Sequence, residues 1–170
     1  RPPTSTLFPN TTLFRSTAWN GLMIRGMASA GRLLRRQEYI DSAARAADFI
    51  HKQLWIDGCL YASWRIGEAK LPAYLDDHAF LLAGLLELLQ AKWDGTRLVW
   101  ARQIADALLE RFEDRERGGF WFTADDRPTP LFRPKSFSDE SMASGNAVAA
   151  RALISLGQIG RASCRERVYI

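Results

Sequence analysis

The chain has 170 residues, of which 25% are charged and 47% are hydrophobic, a balance that supports one packed core and excludes a disordered or collagen-like chain. Its longest nearly uncharged stretch, Ala79 to Leu89, has 11 residues, short of the roughly 20 that a membrane-spanning helix needs. The formal charge of +4 would suit a nucleic-acid partner only if the cations belong to the folded segment.

The two ends of the chain resemble translated sequencing adapter. The stretch 7–16 matches a common short-read adapter with one base changed, and 159–167 matches its reverse complement. We therefore expect 1–16 and 159–170 to be adapter-derived, and we leave them out of the fold reasoning. The remaining segment, 17–158, has 18 basic and 18 acidic residues, which removes the argument for a nucleic-acid partner.

Helices account for most of the predicted structure. Apolar residues recur three and four positions apart in five stretches, which is the spacing of one face of a helix. Asp76 and Asp77 begin the third stretch and suit the positive N-terminal end of a helix. The predicted helices cover roughly 18–36, 40–54, 76–92, 98–112 and 144–156.

Short strands are predicted between the pairs of helices. After Gly58, the run CLYASWRIG at 59–67 indicates a short β-hairpin. The run FWFTA at 120–124 has a strand-like composition and is followed by a Pro-rich loop over 127–139.

The order of these elements indicates an internal repeat. Moving residues 20–24 along the chain by 57 positions, and then by 68, places them on 77–81 and 145–149, at the starts of the third and fifth helices. Those helices are apolar on most sides, whereas the second and fourth are amphipathic, as expected of an inner and an outer layer. The sequence thus predicts a curved array of helical hairpins in which the odd-numbered helices begin on one rim.

Three motifs resemble one known family. TAWNGLMI at 17–24, LDDHAFLLAGLLELL at 75–89 and RPKSFSDESMASGNAVAA at 133–150 are similar to the thioredoxin-domain-containing proteins related to spermatogenesis-associated protein 20. In that family a thioredoxin-like domain precedes a six-hairpin toroid similar to N-acylglucosamine 2-epimerases and six-hairpin glycosidases. The resemblance implies an all-α fold, a partial (α/α)6 toroid of antiparallel helical hairpins with short β-hairpins between repeats. Segment 17–158 would supply about two and a half of the six hairpins.

The candidate catalytic residues are Asp76, Asp77 and His78. They place two carboxylates and one imidazole in the first turn of an inner helix, at the rim where a sugar-sized ligand would enter. A carboxylate there would hold a sugar hydroxyl or act as general acid or base, and a neighbouring carboxylate would raise the pKa of the histidine. The alternative is that Asp76 and Asp77 only cap the helix. The family commonly has Tyr where His78 stands.

Five candidate ligand-binding residues lie on the loop that enters the fifth helix. Free backbone N–H groups and two basic side chains there would bind an anionic or polyhydroxylated ligand. The alternatives are that the polar side chains cap the helix and that the cations are solvated. The residues are Arg133, Lys135, Asp139, Ser144 and Asn146.

Four further residues are candidates for contact with a ligand. Trp64 and Trp121 lie on the strand segments at the expected mouth, where an indole ring would stack on the C–H face of a sugar. Ordinary burial in the core is the alternative for both. Trp19 and Asn20 stand in the first turn of the first helix, where a hydrophobic staple with a polar first turn is the alternative to ligand binding.

No cofactor or metal is predicted. Segment 17–158 lacks a phosphate-binding loop, a dinucleotide-binding glycine motif and a pair of histidines at metal-ligand spacing. Cys59 is its only cysteine, which fits a reducing compartment, and we expect a cytoplasmic protein. The expected partners are a small-molecule carbohydrate and, from the resemblance, the thioredoxin-like domain of a parent chain, with no nucleic acid and no membrane.

Two classes of function remain open. In the first, the intact toroid binds a carbohydrate and performs acid–base chemistry of the epimerase or glycosidase type. A glycosidase would need two carboxyl groups roughly 5–9.5 Å apart. The candidate pair is Asp77 with Asp139 or Glu140. In the second, the toroid is a non-catalytic interaction scaffold attached to the thioredoxin-like domain. In either case we expect the fragment alone to be inactive.

Overall fold

The computed structural model describes residues 15–126, 132–139 and 141–166. Five helices and four short strands lie within them. In chain order they are β1 (Arg15–Ser16), α1 (Thr17–Leu34), α2 (Gln37–Leu54), β2 (Trp55–Ile56), β3 (Cys59–Arg65), β4 (Glu68–Pro72), α3 (Leu75–Ala91), α4 (Gly95–Phe112) and α5 (Gly145–Glu166). All five predicted helices are present, with bounds close to those expected except at the end of α5, which lies ten residues beyond the predicted end.

The helices form two layers, as the repeat predicts. The inner layer is α1, α3 and α5, with α3 packed between the other two. In the outer layer, α2 packs against α1 and α4 packs against α3. Since α3 has neighbours on both sides and in the other layer, its apolar residues are needed around most of its circumference.

Two apolar clusters meet on α3. One includes the leucines of its middle and end, together with side chains from α1, α2 and α4. The other includes Leu75, Ala79 and Phe80 from its start, with Phe112 of α4 and Ala149 of α5. Both clusters are almost completely buried, so α3 is the element around which the array is packed.

The backbones of α1 and α3 touch where two glycines cross. A β-carbon on Gly84 would lie 2.6 Å from the carbonyl oxygen of Gly21. A β-carbon on Gly21 would lie 2.6 Å from the backbone nitrogen of Leu81. The N–H of Ala18 in the first turn of α1 donates to Asp77 in the first turn of α3, so the two inner helices begin at the same end of the molecule.

The predicted hairpin after α2 is confirmed. Strand β3 pairs antiparallel with β4, in a register that places Ser63 opposite Lys70. The chain reverses at Ile66 and Gly67, both of which have positive φ (49° and 82°), as expected for a tight hairpin turn. The other edge of β3 pairs with β1 and with β2.

The second strand-like run forms no strand. Residues 120–124 make only one isolated antiparallel bridge, between Phe120 and Glu113. The N–H of Phe122 donates instead to the carbonyl of Pro134, 2.8 Å away. The N–H of Trp121 donates to the Phe112 carbonyl, and the Phe122 carbonyl accepts from the N–H of Leu75. The backbone bonds of this run thus go to three separate segments, so no ladder with one partner forms.

The helix α5 extends beyond residue 158, into the segment that we expect to be adapter-derived. It continues to Glu166, and the side chain of Ile159 packs on the larger apolar cluster. Most of the other adapter-like residues, 1–14 and 167–170, lie outside the described residues. Within the described part of the chain, no helix is long and apolar enough to cross a membrane.

Candidate functional site

A pocket of about 210 Å³ lies where the first turns of α3 and α5 meet the loop before α5. Its wall combines one carboxylate, several hydroxyl groups and a few apolar side chains. Thus the inner helices α3 and α5 do begin on a common rim. The pocket is lined by Leu75, Asp76, Phe122, Ser136, Ser138, Ser141, Met142, Ala143, Ser144, Gly145 and Asn146.

Asp76 is the only acid among the described residues of this wall. Its carboxylate lies against the start of α5, because a β-carbon at Gly145 would be 2.0 Å from Asp76 Oδ1. No group in the described residues donates a hydrogen bond to this carboxylate, and partial burial raises the pKa of Asp76. A half-buried carboxylate without a donor is available to accept a hydrogen bond or a proton from a ligand.

Asp77 caps two helices at once and does not line the pocket. Its Oδ1 accepts from the N–H of Ala18 at the start of α1, and its Oδ2 accepts from the N–H of Tyr74, both at 2.9 Å. The residue is 4% exposed. Burial raises the pKa of Asp77 to about 6, although the two backbone donors favour its charged form. The geometry therefore matches the capping alternative.

His78 is buried against the outer layer. Its Nδ1 lies 2.9 Å from the carbonyl oxygen of Tyr74, so this nitrogen carries the proton and donates it. Its ring contacts Phe112 of α4 at a centroid distance of 4.9 Å, and no described group partners Nε2. Burial lowers the pKa of His78 to about 4, so the ring is neutral near pH 7.

Asn146 and Ser144 shape the pocket but already have hydrogen-bond partners. Asn146 Oδ1 accepts from the N–H of Phe120 at 2.7 Å, and its Nδ2 donates to the carbonyls of Phe120 and Ser136. Ser144 Oγ also donates to the Ser136 carbonyl, at 3.1 Å. Asp139 lies outside the pocket wall and accepts from the Ser144 N–H. These residues hold the loop on the start of α5.

Arg133 and Lys135 lie together over Trp121 rather than in the pocket. Arg133 donates to the Thr123 carbonyl through Nε and Nη2, and its guanidinium lies 5.4 Å from the Trp121 ring centre. The Lys135 ammonium lies 4.3 Å from the same ring and forms an ion pair with Asp114. The indole ring thus contacts two cations, and both cations also bind other groups within the fold.

The remaining candidates lie away from the pocket wall. Trp19 is 62% exposed on the first turn of α1. Asn20 next to it donates from Nδ2 to the Ser16 carbonyl, at 2.6 Å. The ring of Trp64 meets Phe49 edge-on, with ring centres 6.0 Å apart.

Three serines of the pocket wall, Ser136, Ser138 and Ser141, are not among the residues predicted from the sequence. Their signal was the run S-F-S-D-E-S within the third motif, where hydroxyl groups recur at short intervals. Loop residues have no periodicity to show which way they face, so only the fold revealed that they share a pocket with Asp76. In the described ranges, no group of three or more His, Cys, Asp or Glu side chains is placed to hold a metal ion.

This fold defines the class of protein, a partial (α/α)6 toroid like those of sugar epimerases. A sugar epimerase from a ruminal bacterium superposes with a TM-score of 0.66 over 85% of this chain and 38% of its own, at 14% identity. The cellobiose 2-epimerase of Spirochaeta thermophila gives a TM-score of 0.64 over 76% of this chain and 34% of its own, at 22% identity. The predicted fold class is confirmed.

Sequence comparison gives the particular relationship: the chain is homologous to spermatogenesis-associated protein 20. The rat protein is 30% identical over 150 residues and the human protein 31%, in each case across 82% of this chain. The predicted resemblance is confirmed. This chain spans only 19% of the length of these relatives. No family model matches it.

Proposed function

We propose that the pocket between α3 and α5 binds a neutral carbohydrate, with Asp76 as its hydrogen-bond acceptor and, in the intact protein, as the general base of an epimerase-type reaction. The observation that carries the proposal is the half-buried Asp76 carboxylate, which faces this pocket without a donor of its own. The toroid fold shared with sugar epimerases supports it.

The chemistry of the wall favours a hydroxyl-rich ligand over an anion. Four serines supply hydroxyl groups, of which Ser144 donates its proton to the Ser136 carbonyl, while Leu75, Phe122 and Met142 supply apolar surface for a C–H face. No arginine or lysine lines the pocket among the described residues, since Arg133 and Lys135 contact Trp121 instead. A volume of about 210 Å³ is below the roughly 300–1,000 Å³ typical for drug-sized ligands, and it suits a single sugar unit.

An epimerase-type role fits this site better than a glycosidase-type role. An epimerase needs a base beside a substrate C–H, and a raised carboxyl pKa brings Asp76 closer to the working range of a general base. The glycosidase pairing would use Asp77 with Asp139 or Glu140. Asp77 and Asp139 each accept hydrogen bonds from backbone N–H groups at a helix start, and Glu140 lies outside the described residues.

The test is to add glucose, mannose, N-acetylglucosamine or cellobiose to this chain. Binding is measured by thermal shift and by NMR titration. At least one sugar should raise the melting temperature. Asp76→Asn should weaken that binding by about tenfold or more, because the carboxylate acceptor is lost. The matched control is Asp106→Asn, on the exposed face of α4, which should bind like the wild type.

Stability without ligand separates this proposal from helix capping. Since burial penalises the charged form of Asp76, Asp76→Asn should leave the melting temperature unchanged or higher. A pure cap would instead lose about 1 kcal/mol on replacement. If none of the sugars binds, or if D76N binds them as the wild type does, the carbohydrate proposal fails.

The second candidate is the non-catalytic scaffold attached to a thioredoxin-like domain. Its support is that Asp77, Asp139 and Asn146 all have partners within the fold. Under that proposal none of the sugars binds, and replacing these residues changes stability alone.

A further inference from the structure

A second concave site lies on a different surface, as a groove of about 160 Å³ between α1, α3 and α5. Its floor is built from small and branched side chains such as Ala83 and Ala152, which leave space between the three helices. It shares no lining residue with the pocket that contains Asp76. An inference about the groove is therefore independent of the proposed function.

The groove carries positive charge from two helices. Arg25 of α1 and Arg151 of α5 both line it, and no carboxylate in the described residues forms an ion pair with either. Among the described residues of its wall the one acid is Glu87 of α3, which is paired with Arg32 through a contact of 2.8 Å. The net charge of these four residues, Arg25, Arg151, Arg32 and Glu87, is thus +2.

Neutral donors complete the wall. The amide of Gln90 lines the groove beside the arginines, as does Ser155, whose hydroxyl donates to the Arg151 backbone carbonyl at 3.0 Å. Guanidinium groups bind oxyanions through paired N–H donors, and the Gln90 amide can add a further donor to a remaining oxygen. Arg25 and Arg151 are 126 positions apart in sequence, so only the packing of α1 and α5 around α3 brings them to one groove.

We propose that this groove binds an oxyanion, the phosphate or carboxylate group of a small ligand, through Arg25 and Arg151. A neutral sugar would leave the two cations without a partner, whereas an oxyanion would neutralise them. Binding of this kind is weakened by salt, because the groove is open to solvent on one side and its charges are partly screened.

The experiment is a titration of this chain with inorganic phosphate and, in a second arm, with acetate, at constant ionic strength set by chloride. Side-chain Nε–Hε signals of the arginines in ¹H–¹⁵N spectra report the site directly. Saturable shifts of Arg25 and Arg151 are expected in at least one arm, and the stronger arm identifies the oxyanion as phosphate or carboxylate.

Two single variants test the assignment. Arg151→Gln and Arg25→Gln should each weaken binding by about tenfold or more, since a charge-assisted contact is lost. The matched control is Arg102→Gln, on the exposed face of α4, which should leave binding unchanged. Arg151 is exposed, so its variant stays folded even if the half-buried Arg25 proves important for packing.

Three results would overturn the proposal. One is the absence of saturable shifts in both arms, and another is equal binding by Arg151→Gln and the wild type. The third is a response to phosphate and acetate that matches the response to chloride alone, which would show general screening of surface charge.

Discussion

Three consecutive residues at the start of α3 have three different environments. Asp76 faces a pocket, Asp77 joins two helix starts, and His78 is packed against Phe112 of the outer layer. Neighbours in a helix point in directions about 100° apart, so an acidic and imidazole triplet in sequence does not converge in space. A role for one member therefore says nothing about the next.

Asp77 and His78 should give opposite pH dependences of stability. The pKa of Asp77 rises from 3.8 to about 6 on folding, so the free energy of unfolding falls as pH rises through that window. The pKa of His78 falls from 6.5 to about 4, so stability is present above 6.5 and is lost as pH drops toward 4. In the wild type the two effects largely cancel between pH 4 and 6.5.

Replacing His78 should expose the opposing effect of Asp77. Relative to the wild type, His78→Phe should gain stability as pH is lowered from 6.5 to 4. The gain should be about 1.4 kcal/mol for each unit of the histidine pKa shift that the substitution abolishes. Urea unfolding at pH 7 and pH 4.5 measures it. His51→Gln, at an exposed ring on α2, controls for the loss of a histidine. A difference between His78→Phe and the wild type that stays constant with pH would contradict this interpretation.

At the scale of elements, α3 determines the architecture. It is the one helix in the described residues that packs closely on α1, α4 and α5, and it contacts α2 as well. Its crossing with α1 depends on Gly21 and Gly84, whose backbones approach more closely than any side chain allows. The same crossing sets the distance over which Asp77 reaches the Ala18 N–H.

Alanine at this crossing should therefore destabilise the fold. Gly84→Ala places a methyl group 2.6 Å from the Gly21 carbonyl oxygen, so the helices must separate, at a cost of about 1–3 kcal/mol. Gly26→Ala is the matched control on α1, because a β-carbon there meets nothing within 4 Å. It should be neutral or stabilising by up to about 1 kcal/mol, as alanine favours helix. Urea denaturation measures the free energy of unfolding of both variants. Equal stabilities would contradict the close crossing of α1 and α3.

At the scale of the whole molecule, the inner helices begin on one rim but their polar residues do not form one site. Asp76 and Asn146 share the pocket wall, whereas Asp77, Arg133 and Asp139 do not line it. At a helix start, free N–H groups compete for nearby oxygen acceptors. The carboxylates of Asp77 and Asp139 accept from such groups, which leaves Asp76 as the available acid among the residues that the structure describes here.

Asn146 should be a residue of folding rather than binding. Asn146→Ala leaves the buried N–H and carbonyl of Phe120 without their partner, whereas the Ser136 carbonyl keeps the Ser144 hydroxyl as a donor. The loss should be about 3 kcal/mol, since each unsatisfied buried group costs about 1–3 kcal/mol. Thermal unfolding measures it, with Gln158→Ala on the exposed part of α5 as control. A stable Asn146→Ala variant that loses sugar binding would instead assign Asn146 to the ligand.

The sequence alone determined the helices, the first hairpin, the two layers and the relationship to spermatogenesis-associated protein 20. These follow from spacing within a helix or from ordered motifs, and both are properties of residues close together in the chain. Only the tertiary structure decided which polar residue is available. Asp76 and Asp77 are chemically identical neighbours. Asp77 accepts a hydrogen bond from a backbone N–H 59 residues away, whereas Asp76 faces serines about 60 residues away. The same limit applies to residues 120–124, because a strand depends on the segment opposite, and the backbone bonds of this run go to three separate segments.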